Sequence, residues 1–255
     1  MARVIVVGSI NQDVTVTVDR FPTPGETLSG SSLTYGLGGK GANQAAAAAR
    51  SGIPTLFVGA VGTDLAGHSL RTHLAAHGVD VSHLREVDSP SGTALITVAA
   101  SGENTIILDA GANRASSIAH AKASLFPAPS DIVVLQAEIP PAANAAAIEW
   151  AHSFGARVLL NLAPARATDP ATLSRVDILV VNETEAGLTL GMPAPATPTE
   201  AIGVARALRG MGPRHVVVTM GAQGAAWASG AEARHSPAIT LGEAVDTTGA
   251  GDACV

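Results

Sequence analysis

Short apolar runs alternating with alanine-rich stretches of helical length restrict the fold of this chain more than any other feature. Val4–Val7, Thr55–Ala60, Ile132–Leu135, Val158–Leu160, Ile178–Val181 and Val216–Val218 are continuous apolar segments without polar alternation. Strands of that kind bury both faces, as the central strands of a parallel sheet do. Between them lie Ala42–Ser51, Leu65–His77, Ala142–Ser153 and Glu200–Arg209, which read as helices. The repeated strand–helix–strand order predicts an α/β fold, three layers deep, with helices on both faces of a central, mainly parallel sheet. Ligands of such folds bind beyond the carboxyl ends of the strands. The residues there are polar: Ser9–Asp13, Gln136–Glu138, Asn161, Asn182–Glu185 and Thr219–Gly224.

Two regions follow a different rule. Val14, Val16 and Val18 alternate with Thr15, Thr17 and Asp19, the period of a strand with one wet face. Pro22–Gly25 then turns the chain, and Leu28–Tyr35 reads as its return. Thr93–Ala99 and Thr105–Asp109 form a second hairpin through Ala100–Asn104. Strands at about 13–35 and 93–109 therefore predict a small β-sheet lid on a single domain spanning 1–255, available for sharing between two subunits.

Composition narrows the function classes. With 47% hydrophobic and 14% charged residues, the chain is compact and not disordered. A formal net charge of −6 leaves no broad basic surface for nucleic acid. Cys254 is the single cysteine, so an intrachain disulfide or a cysteine zinc cluster is unavailable. Arg3–Val7 is too short for a signal segment, and no apolar run approaches a membrane span. These features predict a cytoplasmic protein with neither a nucleic-acid nor a membrane partner. His73 and His77 stand one helical turn apart, but no third ligand accompanies them.

Chemistry concentrates in two glycine-rich stretches. In Asp246–Asp252, Gly249 and Gly251 allow successive backbone N–H groups to converge on an anion at a helix start. A carboxylate beside such a nest is placed to take a proton from an attacking hydroxyl, the pairing that phosphoryl transfer needs. A capped glycine turn is the competing reading. Gly36, Gly38 and Gly41 spell GxGxxG, with Asp64 about twenty residues on as in a dinucleotide fingerprint. That match follows a hairpin and not the first core strand, and Gly41 after Lys40 breaks the P-loop pattern. Here the glycines open the backbone at the start of helix 42–51, where Lys40 and Asn43 offer donors to hydroxyls or a phosphoryl group.

Taken in order, Ser9–Asp13, Phe21–Thr27, Gly38–Gln44, Asp109–Asn113, Asn161–Ala165, Asn182–Glu185 and Asp246–Asp252 resemble the ribokinase-like (phosphofructokinase B-type) family of sugar kinases, collinearly from Val4 to Val255. The resemblance implies that fold, with its β-lid, and ATP-dependent phosphorylation of D-ribose at O5. It assigns sugar contacts to Asn11, Gln12, Asp13, Gly39, Lys40, Gly41, Ala42, Asn43 and Glu138. Asn182 and Glu185 would serve the nucleotide and its Mg²⁺, and Thr219, Met220, Gly221, Ala222, Gln223 and Gly224 its phosphates and ribose. Asp252 would be the general base, with Gly249, Ala250 and Gly251 as anion hole. Asp246 and Thr248 would contribute to a monovalent-cation (K⁺) site, and a homodimer would form through the lid.

Members of the family continue through the helix that the last motif begins. Ending at Val255 predicts a fragment, or a shortened chain with impaired catalysis that still binds sugar or nucleotide. Within the enzyme class, a kinase for deoxyribose, a ketohexose or a nucleoside is the alternative. An oxidoreductase resting on GxGxxG alone would have to bind NAD.

Overall fold

The computed structural model describes residues 2–239 and 249–255. In chain order, β1 (Val4–Val7), β2 (Asn11–Val18), β3 (Ser32–Gly38) and α1 (Lys40–Arg50) lead into β4 (Thr55–Gly62), α2 (Leu65–Ala76) and β5 (Asp80–Val87). The hairpin β6 (Gly92–Ala99) and β7 (Asn104–Asp109) precedes β8 (Ile132–Gln136), α3 (Pro141–Ser153), β9 (Arg157–Asn161) and the short α4 (Pro170–Leu173). Then come β10 (Ile178–Asn182), α5 (Glu183–Leu190), α6 (Pro198–Gly210), β11 (His215–Thr219), β12 (Ala225–Ser229), β13 (Glu232–Ser236) and the four-residue α7 (Ala250–Ala253).

Nine strands form one sheet in the order β13-β12-β11-β10-β9-β8-β1-β4-β5. From β11 to β5 all neighbours are parallel, whereas β12 and β13 run antiparallel. Successive side chains on the central strands go to opposite faces. Ile5, Val133, Leu135, Leu160 and Val181 pack against α3, α5 and α6. Val6, Phe57, Val134 and Leu159 belong to the cluster that includes α1 and α2. Both faces are buried, which is why these strands carry no polar alternation. Ala42, Ala45, Ala147 and Ala205 sit fully buried where their helices meet the sheet, since small side chains allow close approach.

Boundaries differ from the sequence expectation in ways that sheet pairing explains. β3 starts at Ser32 and not Leu28, because its antiparallel register with β2 runs from Thr17↔Ser32 to Asn11↔Gly38. β5, β12, β13 and α5 have no counterpart in the apolar pattern. β5 and β13 are sheet edges with half-exposed alternation, and β12 is made largely of alanine.

The second sheet has the order β3-β2-β6-β7, with β2 and β6 parallel and both outer pairs antiparallel. Its register aligns Tyr35, Val14, Leu95 and Ile107 in one row across all four strands. The neighbouring row, Gly36, Asp13, Ala94 and Leu108, belongs to the opposite face. β2 leaves β1 directly, so this sheet springs from the carboxyl end of a central strand.

No helix among the described residues is long and apolar enough to cross a membrane.

Candidate active site

The site begins where α1 meets the β1–β2 corner. Gly39 has φ 89°, and a Cβ on it would lie 2.9 Å from Ile10 Cα. A Cβ on Gly41 would lie 2.7 Å from the Ser9 backbone. Only glycines let the helix start this close. Glu138, just past β8, closes the corner: its Oε2 accepts from Ser9 Oγ at 2.6 Å and from Lys40 N at 3.0 Å. Glu138 is thus a helix-start acid favoured by the dipole, but for α1, 98 residues away in sequence.

Asn11 and Asp13 stand on the same face of β2 near this corner. The buried amide of Asn113 binds the chain on both sides: Oδ1 accepts from Ile10 N at 3.0 Å, and Nδ2 donates to Ile10 O at 3.1 Å and Asn11 Oδ1 at 2.7 Å. Because Asn11 Oδ1 is taken, its NH₂ is the group left for a ligand. Burial, and then the neighbouring Glu138 charge, push the Asp13 carboxyl up to about 6. Two carboxylates therefore share one cleft, a suitable acceptor pair for several hydroxyls. Gln12, between Asn11 and Asp13, projects to the other face of β2.

Asp252, on α7, is buried against α1. Its Oδ2 accepts from Asn43 Nδ2 at 3.0 Å and its Oδ1 from Gln44 Nε2 at 3.2 Å. Lys40 Nζ lies 4.0 Å from Oδ1. Gly249 opens α7 with φ 72°, and the first-turn amides of Ala250, Gly251 and Asp252 have no partner within the helix. A cavity of about 480 Å³ reaches Asp13, Asn43, Gly249 and Ala250 and extends to Arg50 and His77. Arg50 Nη2 lies 3.2 Å from His77 Nδ1, and His73 Nδ1 lies 3.3 Å from Ser69 Oγ. These two histidines are therefore paired with other side chains. Ala42 turns its methyl into the core, and its N–H is already given to Ser9 O at 2.9 Å.

On the far side of Lys40, Asn182 caps α5 through a capping box. Its Oδ1 accepts from Glu185 N at 2.8 Å, and Glu185 Oε2 accepts from Asn182 N at 2.9 Å. Burial raises the Glu185 carboxyl. The Asn182 N–H and Lys40 oppose that rise, while Asp252 and Glu183 add to it. Asn182 pairs with Thr219 across β10 and β11, so the 219–224 turn lies beside it. Gly221, Ala222 and Gln223 are exposed there, whereas the Met220 side chain is buried and can present only backbone. A Cβ on Gly224 would lie 2.1 Å from Ser236 O, so only glycine fits that turn. Asp246 and Thr248 lie outside the described residues.

This arrangement brings hydroxyl acceptors, a lysine, a buried carboxylate and helix-start amides without partners inside their own helix close to one another. Residues 1–255 match the family model described as pfkB family carbohydrate kinase. The chain belongs to the pfkB family of carbohydrate kinases. Ribokinase of Haemophilus influenzae is 37% identical over 249 residues, which cover 97% of this chain and 81% of that protein. Deoxyribokinase of Salmonella typhi is 36% identical over 266 residues, covering 99% and 83% respectively. The structure of Arabidopsis thaliana ribokinase complexed with ribose and ATP superposes with a TM-score of 0.87 at 32% identity, covering 99% of this chain and 83% of that one. The fold is accordingly ribokinase-like and the chain a sugar kinase.

In the sequence of this pfkB kinase Gln136 stands out only as a polar strand end, Asn161 as a strand end and a motif member, and Gln44 and Asn113 only as motif members, without a role for any of them. Gln44, Gln136 and Asn161 form a buried amide chain ending on Asp252, and Asn113 holds Asn11.

Proposed function

We propose that this pfkB-family kinase transfers the γ-phosphoryl group of ATP to O5 of D-ribose, giving ribose 5-phosphate and ADP. The observation that carries the reading is the Asp252 carboxylate, held by Asn43 and Gln44 with Lys40 at 4.0 Å, beside a cavity that Asp13 and Asn43 line, while Glu138 binds the Lys40 backbone. Asn11 and the two carboxylates would bind the sugar hydroxyls, with Gly39, Gly41 and Asn43 along the opposite wall. Asp252 would accept the proton of the O5 hydroxyl as that oxygen forms its bond to γ-phosphorus and the bond to the β,γ-bridging oxygen breaks. Lys40 and the amides of Gly249–Gly251 would balance charge on the transferred oxygens. Asn182 and the 219–224 turn would hold the nucleotide.

Among the described residues no three His, Cys, Asp or Glu side chains converge to hold a metal. Glu185, with one oxygen already on Asn182 N, fits a Mg²⁺ carried mainly by phosphates and water. The ion would neutralise charge on the phosphates of ATP. K⁺ would act through Asp246 and Thr248, with turnover higher in K⁺ than in Na⁺. The cytoplasm, which supplies ATP, is the proposed compartment.

The exposed row of Tyr35, Leu95 and Ile107, with Leu33 beside it, supports a homodimer through the small sheet. The 36% identity to a deoxyribokinase supports 2-deoxyribose as the second reading. Phosphorus NMR of the product from each sugar with ATP tests both. A phosphomonoester from ribose at several-fold higher kcat/KM bears out the first, and the reverse order the second. Sugar binding without any ester would make this a binding protein.

A further inference from the structure

Gln44 has no task in the transfer described above, yet it is 4% exposed and spends every hydrogen-bonding atom of its amide. Nε2 donates to Asn161 Oδ1 at 3.0 Å and to Asp252 Oδ1 at 3.2 Å, and Oε1 accepts from Gln136 Nε2 at 2.7 Å. The direction of this chain is forced at both ends. Asn161 Nδ2 gives a hydrogen to Val180 O at 3.2 Å, a carbonyl that can only accept, which turns Asn161 Oδ1 toward Gln44. The Asp252 carboxylate, when ionised, likewise only accepts. Flipping Gln44 would set its oxygen against two oxygens and its nitrogen against the nitrogen of Gln136. One orientation survives.

Its cost is visible one residue further on. With Gln136 Nε2 committed to Gln44, Gln136 Oε1 is buried without a partner among the described residues. It lies 2.0 Å from where a Cβ on Gly8 would be, so the residue that follows β1 must be glycine for this amide to fit. An orphaned buried carbonyl is unfavourable. The fold retains one here, and what it secures is the far end of the chain, on Asp252.

We infer that Gln44 is a positioning residue for Asp252, anchoring a carboxylate on a four-residue helix to β8 and β9 through Gln136 and Asn161. Asn43 fixes Oδ2 and Gln44 fixes Oδ1, so the plane of the carboxylate is set from two sides. Gln44 itself touches no substrate. The inference rests on the reading of Asp252 as the base.

The test compares Gln44→Met, similar in size but unable to donate, with Gln44→Glu and with Asp252→Asn. Gln44→Met is expected to lower kcat with ribose about 10–100-fold, the scale of a misplaced catalytic group. KM for ribose and for ATP should stay within about twofold, since no substrate contact is lost. Gln44→Glu should recover turnover as pH falls, because a neutral carboxyl can donate to Asp252 whereas an ionised one repels it. A core-filling role alone predicts no such inverted pH profile. Unchanged kcat in both variants, or a loss carried by KM, would overturn the inference. If the unsubstituted chain shows no turnover that depends on Asp252, the base reading fails by itself. Crystals of Gln44→Met then decide the positioning: a rotated Asp252 carboxylate supports it, and an unmoved one overturns it.

Discussion

A Cβ on Gly38 would lie 1.9 Å from Asp13 Oδ1 and 2.2 Å from Asp13 Cγ. The Asp13 carboxylate therefore lies across β3 and reaches the cleft only because position 38 carries no side chain. Gly38→Ala forces one of the two to move. Sugar KM should rise at least about tenfold, and overpacking of this kind costs roughly 1–3 kcal/mol of stability. Ribose titrations and urea unfolding of the variant check both, and an unchanged KM would show that Asp13 does not meet the sugar.

Asp13 also predicts a pH dependence. Burial and Glu138 raise its carboxyl from the ordinary 3.8 to about 6. Ionising it in the fold is disfavoured, so the free protein loses stability as pH rises from about 4 to 6 and has lost all of this contribution above that window. Sugar hydroxyls donate best to the ionised form, so ribose affinity should run the other way and increase as pH rises through about 6. Calorimetric titration between pH 5 and 7.5 reads this. Asp13→Asn should bind weakly with no such rise, and a flat profile in the unsubstituted protein would contradict the assignment.

Glu185 joins a structural to a chemical task, and two substitutions separate them. Gln at 185 can still accept from Asn182 N and keep the capping box. Glu185→Gln should therefore stay within about 0.5 kcal/mol of normal stability while losing much of its Mg²⁺-dependent turnover. Asn182→Ala removes the cap at a cost of about 1 kcal/mol and should raise KM for ATP as well. Unfolding curves and ATP titrations at several Mg²⁺ concentrations distinguish them. Full activity in Glu185→Gln would leave the residue a cap and nothing more.

The central strands can be read from sequence because they are buried on both faces. Val6 and Val134 on one side, and Ile5 and Val133 on the other, make each run continuously apolar. β5 and β13 could not be read the same way, since edge strands need no such run. Within the site, Asn11, Asp13, Lys40, Asn43 and Asp252 lie in compact motifs beside glycines. The partnerships among the site residues span far more sequence: Gln44 meets Gln136 across 92 positions and Asp252 across 208. No local spacing encodes those contacts. The burial of Ala42 and Met220 follows from the register of their elements and not from their place in a motif.

The exposed row of the small sheet gives a further test. Tyr35 is 65% and Ile107 70% exposed, across four strands whose other face carries Asp13. A second copy of the chain covering that row would make Leu95→Asp a monomer, with weakened ribose binding because the lid loses its support. Light scattering on the unsubstituted and substituted chains reads this directly. A monomer before substitution would end the dimer proposal.

Asp252 is the group on which the proposed transfer depends most directly. ADP release from ATP and Mg²⁺, with and without D-ribose, in K⁺ and in Na⁺, should be measured for this chain beside Asp252→Asn. The predicted result is ribose-dependent release that falls by roughly a thousandfold or more in the variant, the scale seen when a general base that also organises the reacting groups is lost. Release that ignores ribose, or survives the substitution, would contradict the proposed chemistry.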